Sequence, residues 1–211
     1  MEEILSLVIV ILILIIVINF SGTEGFLVSK KSAFDNKNYK VYGGVDDYAE
    51  ASVIMSKLNK FGNDLIDEME KSFLKEKNKT KRDLELGKKL TFNLLSRYNY
   101  ESLQETVPGN GETSFSFKKG KVISLCLRKP SNMKTHDLEI LKFVFLHELA
   151  HVATRDYIGH SEPFWKNFAF LLKFAEERGL IKPEDYRKTP QKYCGLTVDY
   201  NPFYDEKYYY L

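Results

Sequence analysis

Three of the chain's four histidines fall in one short stretch, FLHELAHVATRDYIGHSEPFW, which spans Phe145 to Trp165. On an α-helix, His147 and His151 stand one turn apart on the same side, so both imidazoles can reach one ion. Glu148 falls on the adjoining flank, where a carboxylate can take a proton from a water activated by that ion without being a ligand itself. From Ile140 to Val152 the pattern is apolar on nearly every side, so the helix is expected to be buried. Burying two histidines and a glutamate without partners costs on the order of several kcal/mol. A metal ion would offset that cost, and zinc is the metal expected, since it favours imidazole nitrogen and tolerates an open coordination position. The bland reading satisfies the histidines with backbone carbonyls and Glu148 with an arginine.

Two ligands do not make a catalytic zinc site. His160 follows His151 after a loop long enough for the chain to turn back, and Gly159 supplies the backbone freedom for that turn. The HExxHxxGxxH spacing is absent because this loop is longer. A carboxylate of the next helix, Glu176 or Glu177, is the alternative third ligand. His136 lies about three helical turns upstream and is expected to be a surface residue. With the three histidines around one zinc, Glu148 would accept a proton from the attacking water and return it to the leaving amine. Arg155, Tyr157 or a tyrosine of the C-terminal segment could steady the developing oxyanion.

These residues need elements to hold them. Asp137 is a plausible N-cap for a helix running to Thr154, and Ser161-Glu162-Pro163 opens another that Gly179 stops. Upstream, apolar residues at helical spacing mark Asp47 to Lys75 and Lys81 to Tyr98. Between the helix pairs, Ser102–Val107, Thr113–Phe117 and Val122–Leu127 are short β-compatible runs, read as a small antiparallel meander. The expected fold class is therefore α+β. The aromatics of the final stretch, YCGLTVDYNPFYDEKYYYL, either pack across the domain or line a peptide groove.

At 211 residues with 44% of them hydrophobic, the chain can build one modest domain. Ile4 to Ile18 is an almost unbroken aliphatic run, near the lower limit for a bilayer-spanning helix. Met-Glu-Glu before it is not the positive n-region of a cleaved signal. The organisation expected is a transmembrane anchor over residues 1–20, a glycine-bearing flexible stalk over 21–45 and the folded domain over 46–211. Lysines follow the run, at Lys30, Lys31, Lys37 and Lys40, which places that domain in the cytosol. Asn78-Lys79-Thr80 is a formal glycosylation acceptor pointing the other way. Cys126 and Cys194 form no CxxC pair and read as small buried residues rather than a disulfide or zinc site, in weak agreement with a cytosolic domain. A net charge of +2 gives no general case for nucleic acid, so DNA binding is unsupported by charge.

HELAH, the loop, then Gly159-His160 and Phe164-Trp165 resemble the active-site region of the WLM and SprT-like zinc metalloproteases, minimal zincins that include proteases of DNA–protein crosslinks. VISLCLR, a strand ending in an arginine before the helix FVFLHELAH, is similar too. The resemblance implies a zincin-like fold, a small sheet above an active-site helix. It implies Zn2+ held by His147, His151 and His160, Glu148 as general base, and Phe164 and Trp165 packed beneath the third ligand. The apolar leader departs from the pattern of a nuclear repair protease. An anchored form resembles the small WLM-like proteins predicted in large DNA viruses, where an inner membrane of the virion could host it. The reading is a membrane-anchored zinc metallopeptidase acting on protein or peptide amides near a bilayer. Two alternatives stand beside it: a structural or interaction protein of a membrane or virion that keeps the fold, and a crosslink protease recruited to DNA. The first has no use for Glu148; the second calls for a local basic face.

Overall fold

The computed structural model describes residues 26–75, 81–109, 111–154 and 159–208. The anchor read over residues 1–20 lies outside them. Among the described residues no helix is long and apolar enough to cross a membrane.

The chain enters with a β-hairpin, β1 (Leu27–Lys31) and β2 (Asn38–Tyr42), paired antiparallel with Val28 opposite Val41. This corrects the flexible stalk expected over 21–45 from residue 27 to residue 42; residues 21–25 lie outside the described residues. The glycines and lysines of that stretch resemble a linker's, but Tyr39 and Val41 alternate with exposed neighbours and are fully buried. Ser32 Oγ accepts from the Phe34 amide and Asp35 from the Lys37 amide, and Asn36 takes a left-handed φ of 60°. These side-chain turns close the hairpin without glycine.

Helix α1 (Tyr48–Glu70) follows and runs on into a π-helical turn, Lys71–Lys75. Helix α2 (Lys81–Arg97) comes next. Leu58, Leu65 and Met69 of α1 and Leu90 and Leu94 of α2 are wholly buried, as the apolar stripes require.

Strands β3 (Leu103–Glu105), β4 (Phe115–Phe117) and β5 (Val122–Leu125) complete a five-stranded sheet in the order β1-β2-β3-β5-β4. β4 and β5 form the antiparallel hairpin expected. β3 does not pair with β4; it runs parallel to both β2 and β5, so the sheet is mixed rather than an antiparallel meander. β5 is the most apolar run of the three, with Ile123, Ser124 and Leu125 buried, and it takes the place between two neighbours. The less apolar β4 is left at the edge.

Helix α3 (Leu138–Ala153) carries the HELAH motif, and α4 (Glu162–Glu177) packs beside it. α3 contacts α1, α2, α4, β4 and β5, which is why its sequence is apolar on almost every side. Asp137 and Ser161 occupy the two cap positions with extended backbones, and neither side chain makes a cap bond. Gly179, at φ 67°, ends α4 as its left-handed stop.

Arg128, just past β5, is 1% exposed. Its Nε donates to Glu105 Oε1 at 2.7 Å and its Nη1 to Asp47 Oδ1 at 2.5 Å, while Glu105 Oε2 accepts from the Tyr42 amide. One buried cation thus ties the sheet to the start of α1.

After α4 a second hairpin, β6 (Gln191–Tyr193) and β7 (Leu196–Val198), forms a two-stranded sheet of its own. Cys194 is disulfide-bonded to Cys126, against the expectation of two separate buried thiols. Their separation of 68 residues carries no local signal; the tertiary approach of the hairpin to the end of β5 makes the pairing. The bond also removes the thiols as an argument for a cytosolic domain.

Candidate metal centre

His147 and His151 project from one side of α3 with ring centroids 4.9 Å apart. His160 closes the cluster from the loop before α4, its centroid 4.8 Å from His147 and 5.0 Å from His151. The ligating nitrogens that the three can offer lie within 4.8 Å of one another. Gly159 brings the chain in at φ 72° with open space where a Cβ would stand, so the backbone angle, not crowding, asks for glycine there. Glu176 and Glu177 are exposed at the other end of α4, about 20 Å along its axis from His160, and do not join the cluster.

An aromatic bed fixes the rings. Phe164 stacks on His151 at 4.2 Å and 26° and meets His147 and His160 edge-on. Trp165 lies 5.6 Å from the His160 ring, tilted by 31°. Phe168 closes on His147 from below at 5.2 Å. The expected packing of Phe164 and Trp165 against the third histidine is what the structure has.

Electrostatically the site is arranged for a cation it must coordinate rather than repel. Burial, with the neighbouring rings, holds His147 far below the usual imidazole range. His151 is lowered to about 4, by burial first and then by His160 and Lys119, and burial lowers His160 as well. Neutral imidazole is the form that ligates. Glu148 is 3% exposed, its carboxyl is pushed up to about 8 by burial, and its Oε2 has no hydrogen-bond partner among the described residues. Such an orphaned acid costs stability unless a cation or a ligand answers it. Three converging imidazoles beside it fit a zinc ion with one side open to a cleft.

That cleft, about 740 Å3, is lined by all four residues and by β4, α4 and the β6–β7 hairpin. The WLM domain family model matches residues 64–201, well over half of the chain. The chain belongs to the WLM domain family. WLM domains are a zinc metalloprotease family, and the match spans the helix, the loop and the hairpin that build this centre. The chain is 43% identical over 98 residues to uncharacterized protein R325 of Acanthamoeba polyphaga mimivirus, covering 46% of this chain and 49% of that protein. It is 39% identical over 85 residues to uncharacterized protein 042R of Invertebrate iridescent virus 3, covering 40% and 51%. The chain thus spans about half the length of the curated relatives it matches. Among solved structures, Wss1 from Saccharomyces cerevisiae matches at 21% identity and a TM-score of 0.34, covering 45% of this chain and 77% of that one.

Three features of this WLM domain escaped the sequence. His136, expected at the surface, is 6% exposed; its ring lies 4.9 Å from Tyr193, and its Nε2 accepts from the Cys194 amide at 3.4 Å. Tyr193 is buried behind the cleft, its hydroxyl 2.8 Å from the Cys126 carbonyl, to which it donates, and 2.6 Å from Ser114 Oγ. Finally, the β6–β7 hairpin forms one wall of the cleft. Its signal was Cys194-Gly195 between two short alternating runs, and both residues do take left-handed φ, 46° and 84°. Of the residues considered for the oxyanion, Arg155 and Tyr157 lie outside the described residues, and the Tyr200 hydroxyl donates to Asp205 Oδ2 at 2.8 Å.

Proposed function

We propose that this WLM protein is a zinc-dependent metallopeptidase that hydrolyses amide bonds of proteins or peptides, with His147, His151 and His160 as metal ligands and Glu148 as general base. The observation that carries the reading is the Glu148 carboxyl, buried, without a partner for Oε2 among the described residues, and beside three imidazoles whose free side opens on a cleft. When bound, zinc supplies the Lewis acidity that activates water and polarises a carbonyl. Glu148 accepts the proton of the attacking water and delivers it to the departing amine nitrogen.

Glu148→Gln is the test. It should bind zinc to the same stoichiometry and lose cleavage by about 100-fold or more, the span general-base catalysis contributes. Equal turnover by the two proteins ends the proposal. The aliphatic run from Ile4 to Ile18 supports a tether that keeps the domain beside a bilayer; deleting residues 1–20 should move the protein to the soluble fraction, and retention on membranes would assign the tether elsewhere.

A further inference from the structure

The cleft is lined by both charged and apolar side chains. At its His151 end Lys119 Nζ donates to the Thr154 carbonyl at the close of α3, and Lys118 stands beside it on the rim. Other lining residues are apolar. Phe143 and Val144 sit one turn before His147 on α3, the Phe168 ring of α4 lies 5.2 Å from that of Phe143, and Leu196 and Val198 of β7 line the cleft as well. Leu196 is 56% exposed. A large aliphatic side chain held open on the wall of a cleft, beside other apolar groups, marks a surface kept for a ligand.

This wall is also fixed in place. Leu196 pairs with Tyr193 across the hairpin, Tyr193 is bonded through its hydroxyl to Ser114 and Cys126, and Cys194 is cross-linked to Cys126. The pocket therefore exists before anything enters it, which reduces the ordering cost of binding. Asp199, directly after β7, lines the cleft next in sequence to Val198, and its carboxylate disfavours an acidic guest.

We propose that the apolar part of the cleft lining, Phe143 and Val144 of α3 with Leu196 and Val198 of β7, is a recognition pocket for one large apolar side chain, of the leucine, methionine or phenylalanine class, on a polypeptide substrate, with Leu196 and Val198 as its specificity-determining wall. The assignment rests on the peptidase reading for its substrate class, and its test separates the two. Zinc-loaded wild-type protein and Leu196→Asp are given a mixed peptide library, and the cut sites are sequenced with Glu148→Gln as the blank. Wild type should favour a large apolar residue over aspartate at one fixed position beside the cut by about 10- to 100-fold, the value of burying one such side chain. Leu196→Asp, at an exposed position that tolerates the change, should lose most of that preference while Leu196→Met keeps it. A flat profile, or one identical in wild type and Leu196→Asp, overturns the pocket.

Absence of any cut that depends on Glu148 would instead strike the peptidase reading, and a binding measurement then decides the pocket. Trp165 is the chain's only tryptophan and lines the cleft, so its fluorescence reports occupancy. Glu148→Gln protein is titrated with blocked hexapeptides differing only in a central phenylalanine or aspartate. Tighter binding of the phenylalanine peptide, lost when Leu196→Asp is added, supports the pocket. Equal affinity for both peptides, or no response to either, refutes it.

Discussion

The Nε2 atoms of His147 and His160 lie 2.9 Å apart, although the residues come from a helix and from the loop beyond it. With burial holding both rings neutral, one nitrogen must donate to the other or both must face a common cation. Metal binding should therefore lock the loop to α3. At zinc 1,000-fold above its Kd the folded state should gain about 4 kcal/mol, seen as a chelator-reversible rise in Tm. His160→Ala should lose most of that rise and bind zinc more weakly. Unchanged zinc stoichiometry and stabilisation in the variant would remove His160 from the ligand set.

The metal-free protein should show a stability maximum near neutrality. His151, at about 4 when folded against 6.5 when free, binds fewer protons in the native state; stability is lost as pH falls from about 6.5 toward 4, and His147 and His160 act in the same direction. Glu148, at about 8 against 4.5, binds more protons in the native state, so stability falls as pH rises from about 4.5 to 8, by on the order of 5 kcal/mol. Together the limbs place the optimum at about pH 6.5. Glu148→Gln should flatten the alkaline limb and make the metal-free protein the more stable of the two at pH 8. Urea melts across pH 5 to 8 check this, and parallel curves for wild type and variant would show that Glu148 is not held protonated by the fold.

Much of the centre was legible because its signals are local. The helix expected from Asp137 to Thr154 is Leu138–Ala153, and a four-residue step between histidines on a helix leaves little choice of geometry. The third histidine was legible through Gly159, whose φ the turn demands. What escaped depends on distant parts of the chain. Nothing near Leu103 says that β5 will lie between β3 and β4. Tyr39 and Val41 give too short an alternation to stand out from a polar stretch. Cys126 and Cys194 meet only because the last hairpin folds back over the end of β5, and that same fold buries His136.

The disulfide should matter to the stability of the cleft wall more than to the metal. Closing a 68-residue loop removes unfolded-state entropy worth about 4 kcal/mol on the chain-entropy model. Paired substitution of Cys126 and Cys194 by serine should lower stability by about 2–4 kcal/mol while zinc stoichiometry stays the same. Hydrogen exchange should localise the loosening to residues 191–198. A variant as stable as wild type, with equal protection there, would show that Tyr193 alone holds the hairpin.

The deepest structural commitment away from the metal is the pair Arg128 and Glu105, at 1% and 0% side-chain exposure. Burial pushes the Glu105 carboxyl up while the guanidinium pulls it down, so the acid depends on its partner for the charged form. Arg128→Met should leave a carboxyl without its cation inside the sheet and cost about 3–5 kcal/mol. Glu105→Gln combined with Arg128→Met removes both charges, keeps an amide oxygen to accept from the Tyr42 amide, and should recover much of that loss. Chemical denaturation of the single and double variants measures the coupling. If the two single losses simply add in the double variant, the pair does not act as a unit, and the link from β3 through Arg128 to Asp47 at the start of α1 does not organise this end of the sheet.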